Sequence, residues 1–262
     1  MEKPPLSRLT MTTSPPNPST IDKTEIARFA AMADTWWNPK GKFRPLHIFN
    51  PVRLNFIRKQ VCAHFGCDET SLRPFEGLSF LDIGCGGGLV SEPMTRLGGR
   101  VTGVDAGEST VMTAKHHATS QGLEIDYQAT TAEELASSGV SFDVVLNMEV
   151  VEHVADVPLF IDSCADLTAP GGLMIVATLN RTLKSFALAI VGAEYILRWL
   201  PRGTHQWAKF IKPSELCTML EKTGMDITHI GGVVYNPLTD QWSESNDTDV
   251  NYMMVATRHV AS

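Results

Sequence analysis

From Gly77 onward the chain falls into a rhythm that few folds accommodate. Short apolar runs at 78–83, 100–104, 124–129, 142–148 and 173–178 alternate with stretches of helical periodicity at 88–98, 108–121, 132–137 and 156–168. Strands this apolar, separated by helices, belong in a parallel sheet covered on both faces. Gly171-Gly172 is placed to turn the chain into the fifth strand. Residues 225–234 and 250–257 read as two closing strands, antiparallel and at the sheet edge. The expected fold is α/β: a doubly wound, Rossmann-like sheet, mostly parallel with an antiparallel edge.

The flanks carry helices of their own. Asp22 and Glu25 have capping-box spacing, and Ile26, Phe29, Ala30, Ala33 and Trp37 share one face, which predicts a helix from 22 to about 37. Asn38-Pro39-Lys40-Gly41 ends it. Asn50-Pro51 reads as an N-cap and first-turn proline, opening a second helix with the stripe Leu54, Ile57, Val61 and Phe65. After the fifth strand, 183–200 reads as an added helix, 201–212 as a basic and aromatic stretch, and 213–223 as another helix. Residues 1–20 are rich in Pro, Ser and Thr and are expected to be disordered, with Met11 an alternative start. The expected organisation is one domain over 21–262, with N-terminal helices at 22–66 and an insertion at 183–212.

The net charge of −7 argues against nucleic acid as the main partner, since phosphate binding needs a basic surface. Five scattered cysteines suit a reducing compartment rather than a disulfide framework. Cys62-x-His64-x-x-Cys67 looks like half a zinc site, but no second half follows, so these thiols are read as buried on a helix. The longest uncharged run of 183–200 spans 185–193, well short of the ~20 residues that cross a bilayer. No apolar signal core opens the chain.

Asp82-Ile83-Gly84-Cys85-Gly86-Gly87-Gly88 follows a strand and opens a helix, the position of a nucleotide-binding turn. Three further features sharpen the reading. Asp82 would repel a pyrophosphate but suits a ligand with a cationic end. Asp105 closes the next strand, 21 residues after Gly84, the spacing at which a carboxylate meets ribose hydroxyls. The strand at 142–148 ends beside the same crevice. A dinucleotide fingerprint would need a third glycine where Leu89 stands, which argues against an NAD site.

Glu149, Glu152 and His153 follow that last strand at spacings of three and four. On one helical turn these spacings share a face, enough for half the shell of a hard divalent cation able to hold both oxygens of a catechol. A structural role for the Glu-His pair, capping or packing the next helix, remains open beside it.

Asp82 with Gly84-x-Gly86, and Asp105 after them, resemble the class I S-adenosylmethionine-dependent methyltransferases. The flanks narrow the resemblance. Trp36-Trp37-Asn38, Gly41-Lys42-Phe43-Arg44-Pro45-Leu46-His47 and Asn50-Pro51-Val52-Arg53 lie upstream. Gly192-Ala193-Glu194-Tyr195-Ile196-Leu197, Gly203-Thr204-His205, Phe210-Ile211-Lys212-Pro213, Tyr235-Asn236-Pro237 and Asp249-Val250-Asn251-Tyr252-Met253 lie downstream. Together, from about 22 to 257, they look like the ubiquinone-biosynthesis O-methyltransferases.

That resemblance implies methylation of polyprenylated catechol or hydroquinone intermediates, 2-polyprenyl-6-hydroxyphenol and 3-demethylubiquinol, at two steps. It implies cofactor roles for Arg53, Gly84, Asp105 and Met148, and a divalent-metal role, Mg²⁺ first, for Glu149, Glu152 and His153. A phenol ionises near pH 10, so a metal or His153 as general base must help remove its proton, and the sequence leaves the two open. Two other functions are weighed: methylation of a soluble catechol, and a non-catalytic cofactor-binding scaffold in a biosynthetic complex with other ubiquinone-biosynthesis proteins.

Residues 183–200 place Leu183, Phe186, Ile190, Val191, Leu197 and Leu200 over most of a helix, with Lys184, Glu194 and Arg198 in a narrow stripe. Such a helix is either buried or set against lipid. With Arg198, Arg202, Lys209 and Lys212 close by, the expectation is reversible binding to anionic membranes, on the cytoplasmic side of a bacterial inner membrane.

Overall fold

The computed structural model describes residues 19–188, 190 and 206–260. Among them are eight strands: β1 Ser79–Ile83, β2 Arg100–Asp105, β3 Asp126–Ala129, β4 Phe142–Met148, β5 Thr168–Leu179, β6 Met225–Asn236, β7 Gln241–Ser245 and β8 Asn251–Arg258. They form one sheet in the order β3-β2-β1-β4-β5-β8-β6-β7. The first five are parallel, and β8, β6 and β7 continue the sheet by antiparallel pairing. The doubly wound expectation holds.

Register explains where a site can form. Ile83 lies beside both Val104 and Asn147, so β1, β2 and β4 end level with one another. Asp82, Asp105 and Met148 are thereby gathered at the carboxyl edge, where strand order reverses about β1. Such a reversal leaves a crevice.

The helices are α1 Lys23–Ala30, α2 Arg44–Phe65, α3 Ser91–Arg96, α4 Glu108–Ser120, α5 Ala132–Ser137, α6 Val157–Leu167, α7 Leu183–Ser185 and α8 Pro213–Lys222. Phe56, Ile57 and Val61 of α2 pack with Phe80, Val144, Leu146 and Ile175 on one face of the sheet. Phe160, Ile161 and Cys164 of α6 and Leu216 and Leu220 of α8 pack with Leu81, Val145 and Met174 on the other. Alternation along β4 deals its apolar residues to both cores. Each such fully buried side chain contributes about 1.5–3 kcal/mol.

Four expectations are corrected. The helix from 22 to 37 is α1 followed by a separate 3₁₀ turn, Ala33–Thr35. Asp22 caps α1 by accepting from the Thr24 and Glu25 amides, but the Glu25 carboxylate does not reach back; it serves Arg28 and His153 instead. The second helix begins at Arg44, with Pro45 in its first turn, and runs through Pro51. Asn50 is therefore not a cap: its amide donates to Leu89 O at 2.7 Å and its oxygen accepts from Arg53 at 2.8 Å. Strand β7 was not foreseen, because Gln-Trp-Ser-Glu-Ser carries little apolar alternation. Finally, β5 starts at Thr168, ahead of Gly171-Gly172, and the glycines fall where its register against β4 shifts.

The expected disordered tail lies outside the described residues as far as position 18, Met11 included. Its last residue is tied down: Thr20 is buried, donates twice to the Glu133 carboxylate at 2.9 and 2.7 Å, and accepts from the Ala155 amide at 2.9 Å. Of the 183–212 insertion, positions 189 and 191–205 are outside the described residues, Arg198 and Arg202 among them. The described remainder includes the short helix α7 and a 3₁₀ turn, Trp207–Lys209. The two thiols expected to be buried on a helix differ: Cys62 is buried on α2, whereas Cys67 lies just past the helix end and is half-buried; His64 bonds to Gly171 O at 2.8 Å.

Candidate active site

The turn after β1 is built to be close-packed. Gly84 and Gly86 both have left-handed φ, +67° and +54°. A Cβ on Gly84 would stand 2.4 Å from Val150 Cγ2, and one on Gly86 would stand 2.1 Å from the Trp36 ring. Glycine is thus required here by the protein's own packing as well as by any ligand. Trp37 adds a clasp, donating from its indole to Gly87 O at 2.9 Å.

Beside this turn lies a cavity of about 740 Å³. Its lining includes Arg53, Asp82, Gly84, Asp105 and Met148, and with them Glu25, Glu149, Glu152 and His153. Gly86 stands behind the lining, where its amide donates to Asp105 at 3.2 Å; Gly107 donates to the other oxygen at 2.8 Å. Burial raises the Asp105 carboxyl, and these two amides restrain the rise. Asp82 is fully buried and accepts from the Ser91 hydroxyl at 2.5 Å. Burial pushes it up to about 6, against the pull of Ser91 and Arg53. Such a carboxyl is costly without a counter-ion and is ready for a cationic partner.

Arg53 is buried and held by Asn50 and by the Glu149 carboxylate. Its Nε has no hydrogen-bond partner among the described residues. A buried donor left unpaired marks a place for an acceptor that arrives with a ligand. Burial raises the Glu149 carboxyl, with Arg53 opposing.

The three residues after β4 do not sit on one helical face. Glu149 takes a left-handed φ of +56°, and Val151–His153 form a 3₁₀ turn. Spacings of three and four share one face together on an α-helix, whereas a 3₁₀ turn aligns only spacings of three, and Glu149 precedes the turn. Glu149 meets Arg53, buried Glu152 accepts from the Thr178 hydroxyl at 2.9 Å, and His153 Nδ1 lies 3.1 Å from Glu25 Oε2. Among the described residues no group of three or more His, Cys, Asp or Glu is placed to hold a metal ion. The set expected for Mg²⁺ therefore does not fit one in this arrangement.

Glu25 went unforeseen as a site residue. It is 128 positions from His153 and was read only as a helix cap. Asn50 was mistaken in the same way. The upstream apolar positions Leu46 and Phe49, at helical spacing to Val52 and Phe56, were a signal that α2 begins earlier.

Residues 81–176 match a family model described as a methyltransferase domain. The chain is 61% identical over 240 residues to the ubiquinone biosynthesis O-methyltransferase of Parvibaculum lavamentivorans, covering 92% of this chain and 95% of the relative. It is 59% identical over 243 residues to the enzyme of that name from Chelativorans sp., covering 93% and 96%. Among solved structures, magnesium protoporphyrin IX methyltransferase of Synechocystis PCC 6803 with bound S-adenosylhomocysteine superposes with a TM-score of 0.60, at 18% identity over 88% of this chain and 94% of that one. An S-adenosylmethionine-dependent methyltransferase from Clostridium acetobutylicum gives 0.57, at 12% identity over 89% and 98%. These two share the fold. With relatives this similar along nearly its whole length, the chain belongs to the ubiquinone biosynthesis O-methyltransferases, S-adenosylmethionine-dependent enzymes of the class I fold.

Proposed function

We propose that this enzyme methylates a phenolic oxygen of 2-polyprenyl-6-hydroxyphenol and 3-demethylubiquinol, with His153 accepting the proton. The observation that carries the reading is one cavity lined by two chemically different sets of residues. It brings Arg53, Asp82 and Asp105, a donor and two carboxylates, together with His153 and with apolar wall residues that include Phe49, Val233 and Trp242. An apolar wall favours a prenylated substrate over a small soluble catechol.

S-adenosylmethionine, when bound, supplies a methyl group on a cationic sulfur. Asp105 is placed for the ribose hydroxyls. Arg53 Nε suits the amino-acid carboxylate, and Asp82 the cationic part of the same ligand. Trp36, packed on the glycine turn, keeps water from that turn. His153 takes the phenol's proton as the methyl group passes to the oxygen; the sulfur retains its bonding pair and both reacting centres end neutral. Glu149, Glu152 and His153 would have to leave their present partners to hold a cation together, so no step is routed through a metal.

The same reading includes reversible association with an anionic membrane on the cytoplasmic side, where a polyprenyl substrate resides. What supports it is exposed apolar surface at the start of the insertion: Leu183 is 81% exposed and Leu188 55%, with Phe186 and Trp207 beside them. No described helix is long and apolar enough to cross a membrane. One of the expected basic contacts, Lys209, is already engaged with Asp22, and Lys184 of the polar stripe pairs with Asp247.

Transfer of labelled methyl from S-adenosylmethionine to short-chain prenyl catechols, with unprenylated catechol alongside and chelator as a second variable, tests the reading. Product from the prenylated acceptors is expected. Preference for the bare catechol, or no transfer at all, overturns it.

A further inference from the structure

Helix α1 meets the site over two successive turns. Glu25, in its first turn, is buried and turns its carboxylate to His153, Oε2 to Nδ1 at 3.1 Å. One turn farther, Phe29 packs edge-on against the same imidazole, with ring centroids 5.4 Å apart and planes at 87°. The ring is thus gripped at one edge and on one flank.

Two cations face the same carboxylate: Arg28 pairs with Oε2, and Lys209 Nζ stands 4.0 Å from Oε1, which keeps Glu25 ionised. An ionised carboxylate only accepts. Nδ1 must therefore be the donor, and a neutral imidazole that donates from Nδ1 carries its lone pair on Nε2.

The helix is itself anchored near both sides of the cavity. Thr20, just before it, is bonded to Glu133 and Ala155. Its cap Asp22 accepts from Lys209, beyond the insertion, at 2.9 Å. A carboxylate on so constrained an element can hold a partner ring in one orientation.

We propose that Glu25 is a positioning residue for the methyl transfer: it fixes His153 as the Nδ1–H tautomer, with Nε2 presented to the acceptor hydroxyl. This rests on the reading of His153 as the proton acceptor.

The test uses the full chain, a short-chain prenyl catechol and ¹⁵N-labelled histidine. In Glu25→Ala, kcat should fall about tenfold or more, within the roughly 10²–10⁴-fold that a positioned base supplies in all. KM and S-adenosylmethionine affinity should hold. The His153 nitrogen signals should move away from the Nδ1–H tautomer. Glu25→Gln should recover part of both, because its amide oxygen still accepts. Asp22→Ala removes the α1 cap without touching His153, and should alter neither tautomer nor kcat to that extent.

Wild-type kcat or an unmoved tautomer in Glu25→Ala overturns the proposal. So does an equal loss in Asp22→Ala, which would make Glu25 a mere anchor of α1. If His153→Ala turns over like wild type, the proton-acceptor reading itself fails and takes this inference with it. Glu25 variants that turn over like wild type beside a dead His153→Ala sink the inference alone.

Discussion

Arg53 and Glu149 form an ion pair across 96 residues of sequence, joining the middle of α2 to the loop after β4 at the cavity wall. Arg53 is almost wholly buried, whereas Glu149 keeps part of its surface toward the cavity. The pair fixes one wall of the site and leaves Arg53 Nε without a partner among the described residues.

Breaking that pair from the arginine side strands a carboxylate. Arg53→Met should destabilise the fold by about 3 kcal/mol, the lower end for a broken buried pair because Glu149 is partly exposed. Glu149→Gln, which keeps a hydrogen-bond acceptor, should cost less. Urea unfolding of the two variants checks the order, and equal costs contradict it.

Asp105→Ala should weaken S-adenosylmethionine binding by about ten- to a hundredfold, the worth of one charge-assisted hydrogen bond. Asp105 also holds the Gly86 and Gly107 amides, so Asp105→Asn, which keeps acceptors without charge, should fall between. Calorimetric titration reads this directly. Unchanged affinity in a folded Asp105→Ala variant removes the assignment.

The pH dependence of cofactor binding follows from Asp82, held at about 6 rather than 3.8. Between those values the folded protein keeps a proton that the unfolded chain has lost, so Asp82 contributes stability that falls as pH rises through the window. A cationic ligand requires the ionised form. Affinity should therefore drop about tenfold from pH 7.5 to about pH 5, with protons released on binding near pH 6. Asp82→Asn should abolish both the slope and the release. A wild-type affinity flat across that range rules this out.

Gly84→Ala should destabilise the protein by two separable amounts. Contact with Val150 costs about 1–3 kcal/mol as overpacking, and the left-handed φ costs about 1–2 kcal/mol for any residue with a Cβ. Val150→Ala removes the colliding methyls, so the double variant should retain only the second cost. Denaturation of the four proteins in a cycle measures the coupling, and strict additivity would show that the clash is relieved some other way.

For membrane association, wild-type protein should sediment with phosphatidylglycerol vesicles at low salt and be released as salt rises. Leu183→Glu/Leu188→Glu should remain in the supernatant while staying folded. Equal sedimentation by the folded double variant assigns the exposed apolar surface another role.

Local pattern was enough for the parallel order of strands and its glycine turn, though not for β7. Asp82, Gly84 and Asp105 lie at strand ends, and a strand's end is legible because apolar runs stop there. Parallel pairing then forces those ends together. The cluster after β4 was not legible, because its reading assumed an α-helical turn. The left-handed Glu149 and the 3₁₀ turn that follows are imposed by partners from elsewhere: Arg53 on α2, Thr178 on β5 and Glu25 on α1. Glu25 and Asn50 have local cap-like contexts, and sequence alone assigned them to caps. Only tertiary packing, which repays a polar side chain for its lost water with a distant partner, turned both toward the site.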